Sequence, residues 1–230
     1  MSIIYVDIET APQPEEIIKR FLPKFTAPDN YKDEEKIANY IKKKEATWWD
    51  KILLRSTTAR VCAIGYAVDN DEPIIRISDN ESYLLKGIIG MINKYSKVYT
   101  FNGNAFDLPM IERRALANNI QCHLPRAVSG YYDAKFVDIR EKWNPRSSSL
   151  EDTVSLDGIA KLLGLPTKPG DGKDFYKWDK EKQDEYLAHD VNTLREISKR
   201  MGLHTAPSEL GTMEVASFFP QQNEKEDIEI

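Results

Sequence analysis

The feature that most constrains this 230-residue chain is an unbroken apolar run near its start that ends in two acids (SIIYVDIE). Its β-branched and aromatic residues predict a buried strand beginning at about residue 3. Side chains alternate along a strand, so Ile4, Val6 and Ile8 share one face. Asp7 and Glu9 then leave the other face side by side. Neighbouring carboxylates repel unless a cation lies between them, so the pair indicates either a divalent metal site or a frayed strand end in solvent.

The composition is that of an ordinary globular protein, with 41% apolar and 30% charged residues. No apolar run is long enough to span a membrane and no signal peptide is recognisable, so we expect a cytoplasmic protein. The net charge of −5 argues against a non-specific nucleic-acid binder, but not against a nuclease whose metal ions reverse the local charge. Cys62 and Cys122 have apolar or neutral neighbours, which predicts buried reduced thiols, and the lack of a close cysteine pair argues against a cysteine-based metal site.

Hydrophobic periodicity predicts a sheet with helices between its strands. Four further strands are predicted at 61–68, 74–77, 97–101 and 136–139. Helices are predicted at 33–44, 82–93, 108–118, 155–163 and 179–201. This order indicates an α/β domain with a mixed five-stranded sheet and helices on both faces. We expect the domain to span 1–203 with an insertion at 10–60, followed by a partly disordered acidic tail at 204–230.

Two further acids fall where functional groups are expected. Asp107 follows the predicted strand at 97–101, and strand ends of open α/β sheets carry functional groups, although a helix N-cap explains Asp107 equally well. Tyr186 and Asp190 are four residues apart on the last predicted helix, so they share a face. Taken alone, Tyr186 also fits a half-buried core position. His189 is rotated by about 100° from Asp190 and is expected to be a surface or capping residue that points elsewhere.

Taken in order, the motifs are Asp-x-Glu on the first strand, Asn-Gly-x-x-Phe-Asp after a middle strand and Tyr-x-x-x-Asp on a late helix. This set resembles the DEDD family of 3′–5′ exonucleases, with their ribonuclease H-like fold. It is most similar to the tyrosine branch, typified by the proofreading domain of family B DNA polymerases and its stand-alone phage and bacterial relatives. The histidine branch would need a histidine where this chain has Glu185. The resemblance covers about residues 2–203 and includes the segment SLDGIAKLLG at 155–164.

The resemblance implies a metal-dependent enzyme that removes 5′-mononucleotides from the 3′ end of DNA. It implies two divalent ions, Mg²⁺ or Mn²⁺, bound by Asp7, Glu9, Asp107 and Asp190. In that arrangement Asp7 reaches both ions and Asp107 acts through water. Tyr186 would orient the attacking water, since a phenol with an ordinary pKa of about 10 is a poor base at neutral pH.

Contacts to the terminal nucleotides are implied for Thr10, Ala11, Asn102 and Phe106. Phe106 fits a core position almost as well. Weaker candidates for the same groove are Lys173, Tyr176 and Trp178.

The expected substrate is a single-stranded DNA 3′ end, and the expected partner is a DNA polymerase or another replication protein. We expect a monomer without membrane contact, in the cytoplasm of a bacterial or phage-infected cell. Two other functions stay open: an exoribonuclease that trims RNA 3′ ends with the same site, and an inactive nucleic-acid- or polymerase-binding module. The presence of all four acids and the tyrosine argues against the inactive module, whereas DNA and RNA are hard to separate because 2′-OH recognition rests on few contacts.

Overall fold

The computed structural model of the chain describes residues 2–125, 133–144 and 154–203. One mixed sheet has the strand order β3-β2-β1-β4-β5. The strands are β1 (Ile3–Pro12), β2 (Ala59–Val68), β3 (Ile74–Ile77), β4 (Lys97–Thr100) and β5 (Phe136–Asp138). Strand β4 pairs in parallel with β1 and with β5, whereas β2 and β3 are antiparallel. The predicted mixed five-stranded α/β fold is confirmed.

Helices follow the strands in the predicted order. Within the described ranges the α-helices are α1 (Glu15–Lys19), α2 (Glu34–Trp49), α3 (Glu81–Lys94), α4 (Asp107–Ala117), α5 (Ile139–Trp143), α6 (Leu156–Leu162) and α7 (Lys180–Arg200). Two 3₁₀ helices lie at Ile52–Leu54 and Gly172–Lys177. None of these helices is long and apolar enough to cross a membrane.

Both faces of β1 are buried, which explains why its apolar run is continuous. Ile3 and Tyr5 lie on one face, in a core cluster with apolar residues of α6 and α7 such as Ile159, Val191 and Leu194. The residues at 4, 6 and 8 point to the opposite face and are at most 3% exposed. Because side chains alternate along a strand whose two faces are both covered, the face from which Asp7 projects is fixed.

The chain divides into two compact units. One contains the residues up to Glu9 together with those from Val61 onwards, and the other is Thr10–Arg60. The smaller unit holds α1, α2 and the 3₁₀ helix at Ile52–Leu54, and inside it the Thr10 hydroxyl donates a hydrogen bond to the Leu53 carbonyl at 2.9 Å. It coincides with the segment predicted as an insertion. The predicted tail at 204–230 lies outside the described residues.

Several element boundaries differ from the predictions. Strand β1 continues through Pro12 instead of ending at Glu9, and it ends at the proline because proline donates no ladder hydrogen bond. Helix α2 reaches Trp49 instead of stopping at residue 44. Residue 139 begins α5 instead of ending β5, because the Asp138 carboxylate caps that helix. The connection between α6 and α7, where no helix was predicted, contains the 3₁₀ helix Gly172–Lys177, which Asp171 caps.

Candidate active site

Three carboxylates converge at one point. Asp7, Glu9 and Asp190 each place an oxygen within 4.8 Å of the other two. The first two leave β1, and the third projects from α7 and is 3% exposed. Burial raises the pKa of Asp7 well above its usual range, and the negative charges of Asp107, Asp190 and Glu9 raise it further. Three anionic oxygens at this spacing form a donor set that suits a hard divalent cation.

Asp107, the fourth predicted acid, lies beside this cluster and is not part of the three-carboxylate group. It is the first residue of α4, and its Oδ1 accepts a hydrogen bond from the Ile8 backbone N–H at 3.3 Å. The N-cap of α4 is Phe106, so the alternative prediction that Asp107 caps the helix is wrong. Burial raises the pKa of Asp107 to about 7; backbone N–H groups oppose this rise and the charge of Asp138 adds to it.

Tyr186 lies next to the acids, on the same face of α7 as Asp190. Its Oη accepts a hydrogen bond from Lys168 Nζ at 2.9 Å, and the same Nζ lies 2.5 Å from Asp190 Oδ2. Burial raises the pKa of Tyr186, and the Asp190 charge raises it further, so the phenol keeps its proton at neutral pH. The hydroxyl can therefore hold a water molecule by hydrogen bonding but cannot act as a base.

The Tyr186 side chain is enclosed by the segment that precedes α7. The rings of Phe175 and Trp178 lie 5.9 and 5.3 Å from its ring centre. A Cβ atom at Gly172 would lie only 2.5 Å from Tyr186 Oη. Glycine at this position therefore allows the backbone to approach the hydroxyl as closely as it does.

Lys168 is a site residue that the sequence analysis missed. It lies in the connection between α6 and α7, where its backbone N–H donates to Asp157 Oδ1 at 3.0 Å. Burial acts to lower the pKa of Lys168, but its ion pair and hydrogen bond with Asp190 outweigh burial and raise it. The lysine therefore stays charged and counters the acids. Its flanking prolines make it resemble any loop lysine, so only its position shortly before the Tyr-x-x-x-Asp helix was a signal.

His189 contradicts its prediction. Its side chain is 15% exposed and its Nδ1 lies 3.3 Å from Asp190 Oδ1, whereas Nε2 lies 3.1 Å from the Pro166 carbonyl. The expectation of a surface histidine pointing away from Asp190 is wrong, because adjacent side chains on a helix can still meet when a packed loop turns one back. The hydrogen bond to Asp190 raises the pKa of His189, against the effect of burial.

Asp138, at the end of β5, organises the loop that carries Asn102. Its carboxylate accepts hydrogen bonds from the backbone N–H groups of Asn102 at 2.8 Å and Asn104 at 3.1 Å. These bonds hold Asn102 at φ 62°, a left-handed conformation that asparagine tolerates better than most residues. Phe106, later in the same loop, is partly exposed. A cavity of about 420 Å³ is lined by Asn102 together with Asp7 and Asp190.

The other predicted contact residues have varied surroundings. Thr10 and Ala11 are 6% and 4% exposed and belong to the smaller compact unit. Lys173 has an 83% exposed side chain that lies 3.8 Å from Asp171, and it is not among the residues that line the cavity. Trp178 packs against Tyr186, and Tyr176 has the Lys177 ammonium over its ring.

Comparison with known proteins shows to which family this chain belongs. Residues 52–194, more than half of the chain, match a family described as a predicted 3′–5′ exonuclease related to the exonuclease domain of PolB. The chain belongs to this family. The predicted resemblance to proofreading exonucleases is thereby confirmed, and exonuclease function follows from membership. The matched range contains Asp107, Tyr186 and Asp190, whereas Asp7 and Glu9 precede it.

Two polymerases are similar to parts of this PolB-related exonuclease. A DNA polymerase of Methanocaldococcus jannaschii is 37% identical over 54 residues, which is 24% of this chain and 3% of the polymerase. The family B DNA polymerase of the hyperthermophilic archaeon Pyrobaculum calidifontis has a similar structure, with a TM-score of 0.56 and 15% identity. That match covers 87% of this chain and 24% of the polymerase, and at this identity it shows the fold alone. The chain thus spans a small part of either polymerase.

Proposed function

We propose that this chain is a metal-dependent 3′–5′ exodeoxyribonuclease that releases 5′-mononucleotides from DNA 3′ ends. The observation that carries the proposal is the convergence of Asp7, Glu9 and Asp190 within 4.8 Å of one another. A group of acids that is partly shielded from water is costly unless a cation neutralises it, so its presence in an exonuclease family member indicates a metal centre.

The residues present fit a divalent metal. Asp7, Glu9 and Asp190 supply the oxygen ligands that Mg²⁺ and Mn²⁺ favour, and they would hold one ion. Asp107, whose charge also acts on Asp7, would hold a second with Asp7. Bound ions would lower the pKa of the attacking water and offset the charge on the leaving oxygen.

The chain's own side chains position the reactants. Tyr186 receives a hydrogen bond from Lys168, which leaves its O–H proton free to bind the attacking water. Lys168 also places a positive charge 2.5 Å from Asp190 and so offsets part of the negative charge of the acids. Asn102 and Phe106 contact the terminal nucleotides in this proposal, whereas nucleotide contact by Thr10 and Ala11 stays a prediction from the resemblance. The ring of Phe106 supports this role because aromatic stacking tolerates any base.

We also propose that residues 1–203 form the exonuclease domain, with 10–60 as an insertion and 204–230 as a separate tail. The separate compactness of Thr10–Arg60 supports the first boundary. A DNA polymerase or replication protein as partner stays a prediction from the resemblance.

The test is a substrate panel with single-stranded DNA, duplex DNA and RNA, each labelled at its 5′ end. In Mg²⁺ or Mn²⁺ we expect a ladder of products shortened from the 3′ end of single-stranded DNA, with mononucleotides released. EDTA should stop the reaction, and Asp7→Asn protein, prepared in parallel, controls for contaminating nucleases. Preferential shortening of RNA would replace the DNA assignment by 3′ trimming of RNA. Absence of cleavage with any substrate, in protein shown to bind metal, would refute the enzyme proposal.

A further inference from the structure

The cavity beside the acids is lined by a second cationic residue, which has no role in the proposed metal binding or in orienting the attacking water. Arg140, the second residue of α5, lines the same cavity of about 420 Å³ as Asp7 and Asp190. Its backbone N–H donates to Asp138 Oδ1 at 3.0 Å, and its Nη1 donates to Asn102 Oδ1 at 2.6 Å. The arginine is therefore held in place from both its backbone and its side chain.

Most of the hydrogen-bonding capacity of Arg140 is unused. A guanidinium group carries five N–H donors, and among the described residues its one hydrogen-bond acceptor is Asn102 Oδ1. Within those ranges no carboxylate lies within ion-pair distance of it. Lys168 differs, because its ammonium is engaged by Asp190 and Tyr186.

The contact with Arg140 also fixes which way the Asn102 side chain faces. Arginine only donates hydrogen bonds, so the atom that it touches must be the amide oxygen of Asn102. The NH₂ group of Asn102 is left to donate, and it has no protein acceptor in the described part of the chain. Arg140 and Asn102 together thus present donors to the cavity, and their matching ligand is a group rich in acceptors.

We propose that Arg140 binds a backbone phosphate of the nucleotide strand, with the Asn102 amide as a second donor to the same group. The inference rests on the proposed nuclease function, because the strand must enter this cavity to reach the acids. A planar guanidinium matches the oxygens of a phosphate, and the partial burial of Arg140 strengthens such a pair relative to open water. Arg140 is here a substrate-binding residue, distinct from the metal ligands.

The experiment measures binding of a fluorescent single-stranded oligodeoxynucleotide by anisotropy, with Ca²⁺ as the probe ion to restrict cleavage. We expect Arg140→Gln to raise Kd by about 10- to 100-fold, the usual worth of a hydrogen-bonded charge. The slope of log Kd against log salt should fall by about 0.7, the value for one lost phosphate contact on a single strand. Arg140→Lys should keep the salt slope but recover only part of the affinity, because it retains the charge and loses the planar fork.

A matched control variant and a modified substrate test whether the effect is specific to a contact between Arg140 and phosphate. Arg113→Gln removes an exposed arginine of α4 that does not line the cavity, so Kd and salt slope should stay at wild-type values. Oligonucleotides with one neutral methylphosphonate at each 3′ linkage in turn should bind wild-type protein more weakly at one position. The weaker binding caused by this methylphosphonate should disappear in Arg140→Gln, because that variant has already lost the contact between Arg140 and the phosphate.

Three outcomes would overturn the inference. Wild-type Kd and slope in Arg140→Gln would show that no phosphate is bound there. A raised Kd with an unchanged slope and an unchanged methylphosphonate penalty would show that Arg140 only orients Asn102. If Arg140→Gln does not fold, the absence of any position-specific penalty in wild-type protein would have the same consequence. Failure of wild-type protein to bind or shorten DNA would instead refute the proposed function, and the inference with it.

Discussion

Several carboxylates act on Asp7 at once. It is partly buried near Asp107, Asp190 and Glu9, whose charges raise its pKa, and the charge of Lys168 opposes that rise. A cation bound by Asp7 would offset the repulsion between Asp7 and several other carboxylates at once. Because Asp7 takes part in each of these repulsive pairs, its removal should reduce activity most.

We predict that Asp7→Ala reduces the single-turnover cleavage rate in Mg²⁺ by at least about 10³-fold. Metal stabilisation of the transition state amounts to several kcal/mol, and each 1.36 kcal/mol is a factor of ten in rate. Asp71→Ala, a change to a partly exposed acid outside the cluster, is the matched control and should cleave normally. Full activity of Asp7→Ala would remove the metal centre from its proposed place.

Tyr186 and Asp190 allow water orientation to be separated from metal binding. Tyr186→Phe keeps the ring packing against Phe175 and loses the hydroxyl, so we predict a rate loss of about 10²–10³ with nearly unchanged metal affinity. Asp190→Asn should weaken metal binding and rate together. Metal titrations and single-turnover cleavage of labelled DNA measure both quantities. Normal cleavage by Tyr186→Phe would reduce Tyr186 to a packing residue.

Gly172 should control the position of that hydroxyl. The added methyl of Gly172→Ala would lie 2.5 Å from Tyr186 Oη, so we expect a loss of rate approaching that of Tyr186→Phe. Gly170→Ala is the matched control, since its nearest contact, at 3.4 Å to Trp178, is ordinary. In a Tyr186→Phe background the added cost of Gly172→Ala should shrink, because the hydroxyl is absent. Additive losses in this double-mutant cycle would contradict the proposed steric link.

Glu81 connects several elements at the level of secondary structure. It lies at the start of α3 and is 8% exposed, and its carboxylate accepts from the Val61 backbone of β2 at 2.7 Å. Arg114 Nη2 of α4 donates to Glu81 Oε2 at 2.6 Å, and Asn118 Nδ2 at 2.9 Å. The buried ion pair thereby joins α3 to α4, the helix that begins at Asp107.

We predict that Glu81→Gln lowers the free energy of unfolding by about 3 kcal/mol, because it removes the negative charge that faces Arg114 in a contact shielded from solvent. Glu196→Gln removes a 44% exposed partner of Lys199 and should cost at most about 1 kcal/mol. Urea unfolding of both variants measures the difference. Equal losses of unfolding free energy in the two variants would show that the Glu81–Arg114 ion pair contributes no more than a surface ion pair.

At the scale of the whole molecule, metal binding should stabilise the folded state. The acids converge only after folding, so a bound cation favours the native state by mass action. At 100 times Kd the gain is about 2.7 kcal/mol. We predict that Mn²⁺ raises the melting temperature relative to EDTA, and that Asp190→Asn abolishes most of this rise. Identical melting temperatures at confirmed metal occupancy would argue against a shared site.

Local periodicity determined the order of strands and helices, the side of β1 from which Asp7 and Glu9 emerge, and the shared face of Tyr186 and Asp190. These features depend on residues two or four apart, and the ordered motifs were enough to indicate the exonuclease family. The convergence of the acids was implied by that resemblance, whereas its geometry required the packed sheet.

Only the tertiary structure brought Lys168 to Asp190, turned His189 toward the same carboxylate and joined Arg140 to Asn102. The Lys168 and Arg140 contacts each involve a loop residue, and His189 is turned by its contact with the Pro166 carbonyl, so no repeat sets the direction of these side chains. Asp138 decides the shape of the Asn102 loop from 36 positions away in sequence. Such contacts form because buried donors and acceptors must find partners, and which partner is near depends on how the whole chain packs.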